Sequence, residues 1–133
     1  MTSSPCYCTV LKAASRRLAA LYDEALEPVG VNIAQFSLLR RIRRAEPVTL
    51  TELGRIAELD RSTIGRNTRV LERMGLVALG RGADHREAVV TLTAAGHKAL
   101  DEGEPLWDGV QDAIEARLGN TGVMELCTAL QDL

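Results

Sequence analysis

Two short amphipathic helical patterns stand almost end to end between Thr49 and Gly75, and nothing else in the chain narrows the fold as much. Thr49-Leu50-Thr51-Glu52 has the form of a capping box, in which a threonine hydroxyl and a glutamate carboxylate satisfy reciprocal backbone donors. It opens an apolar pattern at Leu53, Ile56, Ala57 and Leu59, which predicts a helix of about ten residues. Asp60-Arg61-Ser62 is a joint of helix-turn-helix length, with small Ala57 at a point of close approach. Beyond it, Ile64, Thr68, Leu71 and Met74 recur at the spacing of one buried stripe, while Arg61, Arg66, Arg69 and Arg73 gather on the other side. Asp60 is placed to cap this second helix, and Gly75 to end it in the left-handed conformation. One face packs and the other presents arginines.

Downstream, Leu76-Val77-Ala78-Leu79 and residues 87–92 are β-prone runs joined by the basic, glycine-containing tip Gly80-Arg81-Gly82-Ala83-Asp84-His85-Arg86. A helix-turn-helix followed by a hairpin predicts a winged helix, mainly α with a small β-wing. Residues 49–96, with LTELGRIAELDRSTIGRNTRVLERMGLV, the Asp84-x-Arg86 tip and VVTLTAAG, resemble the multiple-antibiotic-resistance regulator (MarR) family of dimeric transcription factors. Gly54, where that family usually has alanine, is a departure that costs helix stability of about 1 kcal/mol. The resemblance implies a single domain over 1–133. Residues 32–93 form its DNA-binding lobe, and 1–31 with 94–133 supply helices that interlock two copies. It also implies repression as the default and a minor-groove role for Arg86, with Asp84 orienting it or a neighbouring basic side chain. The residue types agree. Arg61, Ser62, Thr63, Arg66, Asn67 and Arg69 lie on the first turns of the second helix, where arginine can bond guanine and asparagine adenine in the major groove of double-stranded DNA. Two copies imply a pseudo-palindromic operator with half-sites about one helical turn apart.

The net charge of −2 argues against nucleic acid until its distribution is read. Residues 40–86 hold eleven arginines against six acids, whereas residues 94–133 hold two bases against eight acids. Basic charge is concentrated where the reading motif lies. The other class open to the residues is a helical protein–protein interaction module whose basic helix pairs with an acidic partner; it predicts weak DNA binding without a steep salt slope.

The flanking segments read as helices. Ser4-Pro5 forms a helix start, and Leu11, Ala14, Leu18, Leu21, Ala25 and Leu26 hold a stripe ended by Pro28-Val29-Gly30. Asn32 and Gln35 cap a second helix with Phe36, Leu39 and Ile42 inward. Its end, Arg40-Arg41-x-Arg43-Arg44, complements the helix dipole or contacts phosphate. Thr93 caps a long helix to about residue 118, interrupted at Gly103-Glu104-Pro105 by the loss of a backbone donor. Asn120-Thr121-Gly122 breaks it before a last helix, residues 122–133, with Val123, Leu126 and Leu130 on one side. The terminal stripes have no further chain to cover them, which favours a homodimer.

No nucleophile–base pair, carboxylate pair, phosphate loop or metal cluster stands at a recognisable spacing, so an enzyme is not expected, nor a cofactor. His85 falls in the wing and His97 on a helix surface. Cys6-x-Cys8 lacks the second pair a metal site needs. Trp107 and the two tyrosines read as core or interface. No apolar run has transmembrane length and the first residues lack a signal-peptide pattern, so a cytoplasmic protein with reduced thiols is expected.

The signal stays open between two classes. Aligned without gaps, Cys8 falls on the reactive cysteine of the organic-hydroperoxide-sensing branch of the family and Tyr22 on a tyrosine that bonds that thiolate; a second tyrosine of that branch maps to Ile33. Fourteen residues of helix separate Cys8 from Tyr22 by ~21 Å, so the pair would form across two chains. Lys12 one turn on gives Cys8 a reason for a lowered pKa. Cys127 is then the resolving thiol, with Cys6 its rival. The other class is a small phenolic or other aromatic ligand at the helical junction of the dimer.

Overall fold

Four side chains start the four helices at the centre of the chain. The computed structural model describes residues 3–82 and 86–133. Asn32 accepts from the backbone N–H of Gln35 at 2.8 Å and Gln35 returns the bond to Asn32 N–H at 3.0 Å, opening α2, Ile33–Ala45. Thr49 accepts from Glu52 N–H and opens α3, Leu50–Ala57. The expected reciprocal half is absent there, because the Glu52 carboxylate is bonded by Arg55, one turn along the same helix. Asp60 opens α4, Arg61–Arg73, and Thr93 opens α5, Ala94–Leu118.

Ahead of these lies α1, Tyr7–Leu26, whose N-cap is Cys6 and not Ser4, and which ends in a 3-10 turn, Glu27–Val29, closed by left-handed Gly30. Asp23 of α1 accepts from Ile33 N–H at 2.7 Å, adding a carboxylate to the amide caps at the start of α2. The helix α5 runs through Pro105 without the expected interruption. The break that follows is Gly119 alone, at φ 86°, so the last helix, α6, Asn120–Gln131, begins earlier than its sequence suggested.

Between α4 and α5 the strands β2, Val77–Arg81, and β3, Ala88–Leu92, pair antiparallel from Val77↔Leu92 to Arg81↔Ala88. A short strand not foreseen, β1, Val48–Thr49, adds to β3 through Val48↔Val90, giving the order β1-β3-β2. Two residues are too short a run for the alternation that reveals a strand. The expected winged helix-turn-helix is therefore present, mainly α with a small sheet.

One core joins these elements. Phe36, Leu39, Ile42, Leu53, Ile64, Leu71, Val90 and Leu100 are fully buried within it. Gly96 fixes how α5 leaves the sheet, since a Cβ there would lie 2.1 Å from the Leu76 carbonyl oxygen. The Thr93 hydroxyl donates to the Gly75 carbonyl at 2.7 Å while accepting from Gly96 N–H, tying the end of α4 to the start of α5. Among the described residues no helix is long and apolar enough to cross a membrane.

Candidate nucleic-acid interface

The joint between α3 and α4 is Glu58-Leu59-Asp60, two residues earlier than the sequence suggested. Glu58 takes the left-handed conformation at φ 55°, and Leu59 N–H bonds the Gly54 carbonyl at 2.9 Å. Close approach occurs at Gly54, while Ala57 is partly buried against the core. A Cβ on Gly54 would lie 3.0 Å from the Leu59 carbonyl and 3.3 Å from Ile64 Cγ2. The departure from alanine thus brings the two helices together.

Asp60 accepts from Thr63 N–H at 2.7 Å and from the Ser62 hydroxyl at 3.0 Å. These bonds, that from the Thr63 backbone foremost, hold its carboxyl below the usual range. Along α4, Ile64, Thr68 and Leu71 face the core, Gly65 is buried against the Arg69 side chain, and the Thr68 hydroxyl is satisfied by the Ile64 carbonyl at 2.7 Å. Met74, expected inward, caps the helix and is 39% exposed. Gly75 ends α4 in the left-handed conformation, as expected.

The opposite face carries the reading candidates. Arg61, Ser62, Arg66 and Arg69 line one concavity with Gly65 and Leu50, and Thr63 and Arg66 join through a 3.5 Å contact. Asn67 is exposed but stands apart, at the mouth of a cleft shared with Asn32, Gln35 and Leu38 of α2. Arg61 is partly committed, donating to the Thr51 hydroxyl at 3.1 Å. Thr51 N–H in turn bonds the Glu87 carboxylate of the wing at 3.0 Å, so wing, α3 and α4 meet at one residue. Sequence reasoning missed this node. Its only mark is a polar residue in the first turn of α3. Arg86 is exposed at the base of β3, and Asp84 and His85 lie outside the described residues.

The thiols Cys6, Cys8 and Cys127 are all exposed. The structure gives the first turn of α1 a donor to Cys6: the Thr9 hydroxyl bonds its sulfur at 3.3 Å, and this bond, with Thr9 N–H, lowers the Cys6 pKa. Cys8 and Tyr22 share the continuous helix α1, so one chain does not bring them together. The Tyr22 hydroxyl bonds Gln111 of α5, and burial, followed by Glu115, raises its pKa. Ile33 packs against the core.

The profile described as the MarR family matches residues 29–87, which contain the entire helix-turn-helix. An uncharacterised HTH-type transcriptional regulator of Bacillus subtilis (strain 168), YwoH, is 32% identical over 92 residues, 69% of this chain and 67% of that protein. The DNA complex of the M. tuberculosis transcriptional regulator MosR superposes with a TM-score of 0.83 at 36% identity, covering 96% of this chain and 98% of that one. A probable transcriptional regulator from Pseudomonas aeruginosa gives 0.85 at 25% identity, with 95% of each chain covered. Fold, motif and relatives agree: the chain belongs to the MarR family of transcriptional regulators.

Proposed function

We propose that the protein is a homodimeric, cytoplasmic repressor that binds a pseudo-palindromic operator in double-stranded DNA through residues 32–93 and dimerises through 1–31 and 94–133. The observation that carries this reading is the exposed arginine face of α4, anchored from behind by a buried stripe and from its start by the Asp60 cap. Arg61, Ser62, Thr63, Arg66, Asn67 and Arg69 enter the major groove, and Arg86 reaches the adjacent minor groove with Asp84 orienting it. The likeness to MosR, solved with DNA and matched over nearly all of both chains, supports the same mode.

Dimerisation is supported by what the single chain leaves uncovered. No residue of α6 is buried, Leu118 and Met124 stand exposed, and Leu126 and Leu130 line an open apolar groove with Tyr7, Val10 and Leu11 of α1. The acids Glu125 of α6 and Asp132 just after it complement Lys12, Arg16 and Arg17 of α1, which suits packing of one copy's α6 near the other's α1.

Arg66→Ala and Arg86→Ala dimers stay folded and bind operator at least tenfold more weakly, since each loses a charge-assisted contact worth about 1–3 kcal/mol. A gel shift on duplexes enriched from a random pool, titrated with salt, measures this. Undiminished affinity in both variants, or a flat salt dependence, would leave the acidic-partner module as the better reading.

Two signals fit the structure. In the first, an organic hydroperoxide oxidises the Cys8 or Cys6 thiolate to the sulfenic acid, releasing the alcohol, and a second thiol, Cys127 or the remaining member of the pair, condenses to a disulfide with loss of water. In the second, a small aromatic ligand enters the apolar groove of Leu18, Leu21 and Ile114 flanked by Arg17 and Arg117. Operator binding with and without cumene hydroperoxide, in wild type and in Cys6→Ser and Cys8→Ser, separates them. Release that survives both substitutions removes the thiol reading.

A further inference from the structure

The arginine run at the end of α2 belongs to the protein's own frame. Arg41 donates to the Ile56 carbonyl at 3.0 Å and so finishes α3. Arg40 lies with its guanidinium carbon 4.0 Å from the ring centroid of Trp107, a cation–π contact, and burial lowers its pKa. Arg43 bonds Glu104 at 2.8 Å and Asp101 at 3.3 Å. Asp101, Glu104 and Trp107 recur every third residue and share a face of α5. Two arginines one turn apart on α2 thus hold three residues spread over two turns of α5.

The two helices meet closely at the same place. A Cβ on buried Gly103 would lie 2.5 Å from Cε2 of Phe36, a side chain that is 0% exposed. Glycine sets the separation there. Beyond Gly103 no residue of α5 is buried, and the segment from Asp108 to Leu118, about 16 Å long at about 1.5 Å per residue, packs with α1 as one arm, through the Tyr22–Gln111 bond and the groove of Leu18, Leu21 and Ile114. A tilt change of ~10° at the joint moves the end of such an arm by ~3 Å, close to the ~3.4 Å step between base pairs.

We propose that Arg40 and Arg43, with Asp101, Glu104 and Trp107, form a positioning joint that fixes the tilt of α5 and thereby selects which half-site spacing the homodimer accepts. The proposal rests on the homodimeric DNA-binding reading for its consequence, but not for its geometry. None of these residues touches DNA in it.

The geometry is tested in the full chain with Cys6, Cys8 and Cys127 replaced by serine and spin labels placed through Glu72→Cys on α4 and Asp112→Cys on α5. Labelled chain is diluted into an excess of unlabelled chain so that only distances within one chain are read. Arg43→Ala and, separately, Trp107→Leu are expected to broaden the distance distribution or shift it by at least 3 Å, and Arg43→Lys to restore most of it. A distribution unchanged in both variants overturns the joint, whatever the DNA results. If Arg43→Ala fails to fold, Trp107→Leu, at a half-buried position, carries the measurement. The consequence is tested on a duplex enriched by the wild-type protein from a random pool and on the same duplex with one base pair inserted between its half-sites. Wild type is expected to lose tenfold or more on the insertion, the loosened variants threefold or less. Variants as strict as wild type overturn the joint alone, whereas a wild type that enriches no duplex overturns the DNA-binding reading and leaves the distance measurement to decide the joint.

Discussion

The middle of this chain and its two ends are built on different terms. From α2 to the start of α5, every helix opens on a side chain that bonds its free N–H groups: Asn32, Thr49, Asp60 and Thr93. Among the described residues, the buried apolar side chains all fall between Leu26 and Leu100. By contrast, α1 and α6 have no side-chain cap, α6 buries nothing, and α1 buries only Leu26. The contrast teaches where specification is local. The centre carries its own start signals and its own core, while the ends carry apolar stripes that the single chain leaves exposed.

The sharpest way to break this contrast is to cut equally into both regions. Ile64→Ala removes a fully buried side chain and is expected to cost about 2–5 kcal/mol, independent of protein concentration in urea unfolding. The paired change Leu126→Asp with Leu130→Asp falls on exposed residues, so the core should keep its unfolding midpoint in the monomer. The dimer, however, should weaken by at least about a hundredfold in sedimentation, since burying each leucine is worth about 1.5–3 kcal/mol. A dimer indifferent to both aspartates would place the interface elsewhere.

A smaller effect probes the cap of α4. Asp60 holds its charged form through the Thr63 N–H and the Thr63 and Ser62 hydroxyls, so its pKa is depressed on folding. A depressed carboxyl contributes stability that is present above its unfolded value and lost as pH falls through the folded one. Acid titration should therefore lose this contribution below the ordinary aspartate range. Asp60→Asn, which keeps an accepting oxygen but no titrating charge, should flatten that part of the pH profile while preserving the helix start. An identical profile in the variant would mean that other carboxylates govern acid unfolding.

Much of this was legible in the sequence, for reasons that differ by residue. Caps such as Asn32 with Gln35, and the stripe Ile64, Thr68 and Leu71, are local in sequence and act locally, so pattern alone finds them. What pattern could not find involves residues far apart in the chain. Arg43 stands 58 residues before Asp101 and Glu87 stands 36 after Thr51, and no periodicity links either pair. The arginine run 40–44 consequently reads in the sequence as helix-dipole complement or phosphate contact, and its bonds to α5 are visible only in the fold. Gly54 reads in the sequence only as a propensity cost, because the carbonyl of Leu59 and the side chain of Ile64 come against it only when the turn between α3 and α4 is closed.

Gly54→Ala is the finest test of that last point. In the interior of α3 the substitution gains helix propensity of about 1 kcal/mol and narrows the unfolded ensemble as well. Against this, the new Cβ meets the Leu59 carbonyl at 3.0 Å and Ile64 Cγ2 at 3.3 Å, and the carbonyl belongs to the turn backbone, held by the bond from Leu59 N–H to Gly54. A shift of a few tenths of an ångström is needed, and it must be taken by the turn and the first residues of α4. The two effects nearly offset, so unfolding free energy should change by less than about 1 kcal/mol in either direction. Operator affinity should respond more clearly, falling by about threefold, because the displacement is passed to the helix that carries Arg61 and Arg66 and positional error weakens directional contacts. Stabilisation by the full propensity gain with operator binding intact would show that the joint relaxes freely, and that Gly54 does not set the separation of α3 and α4.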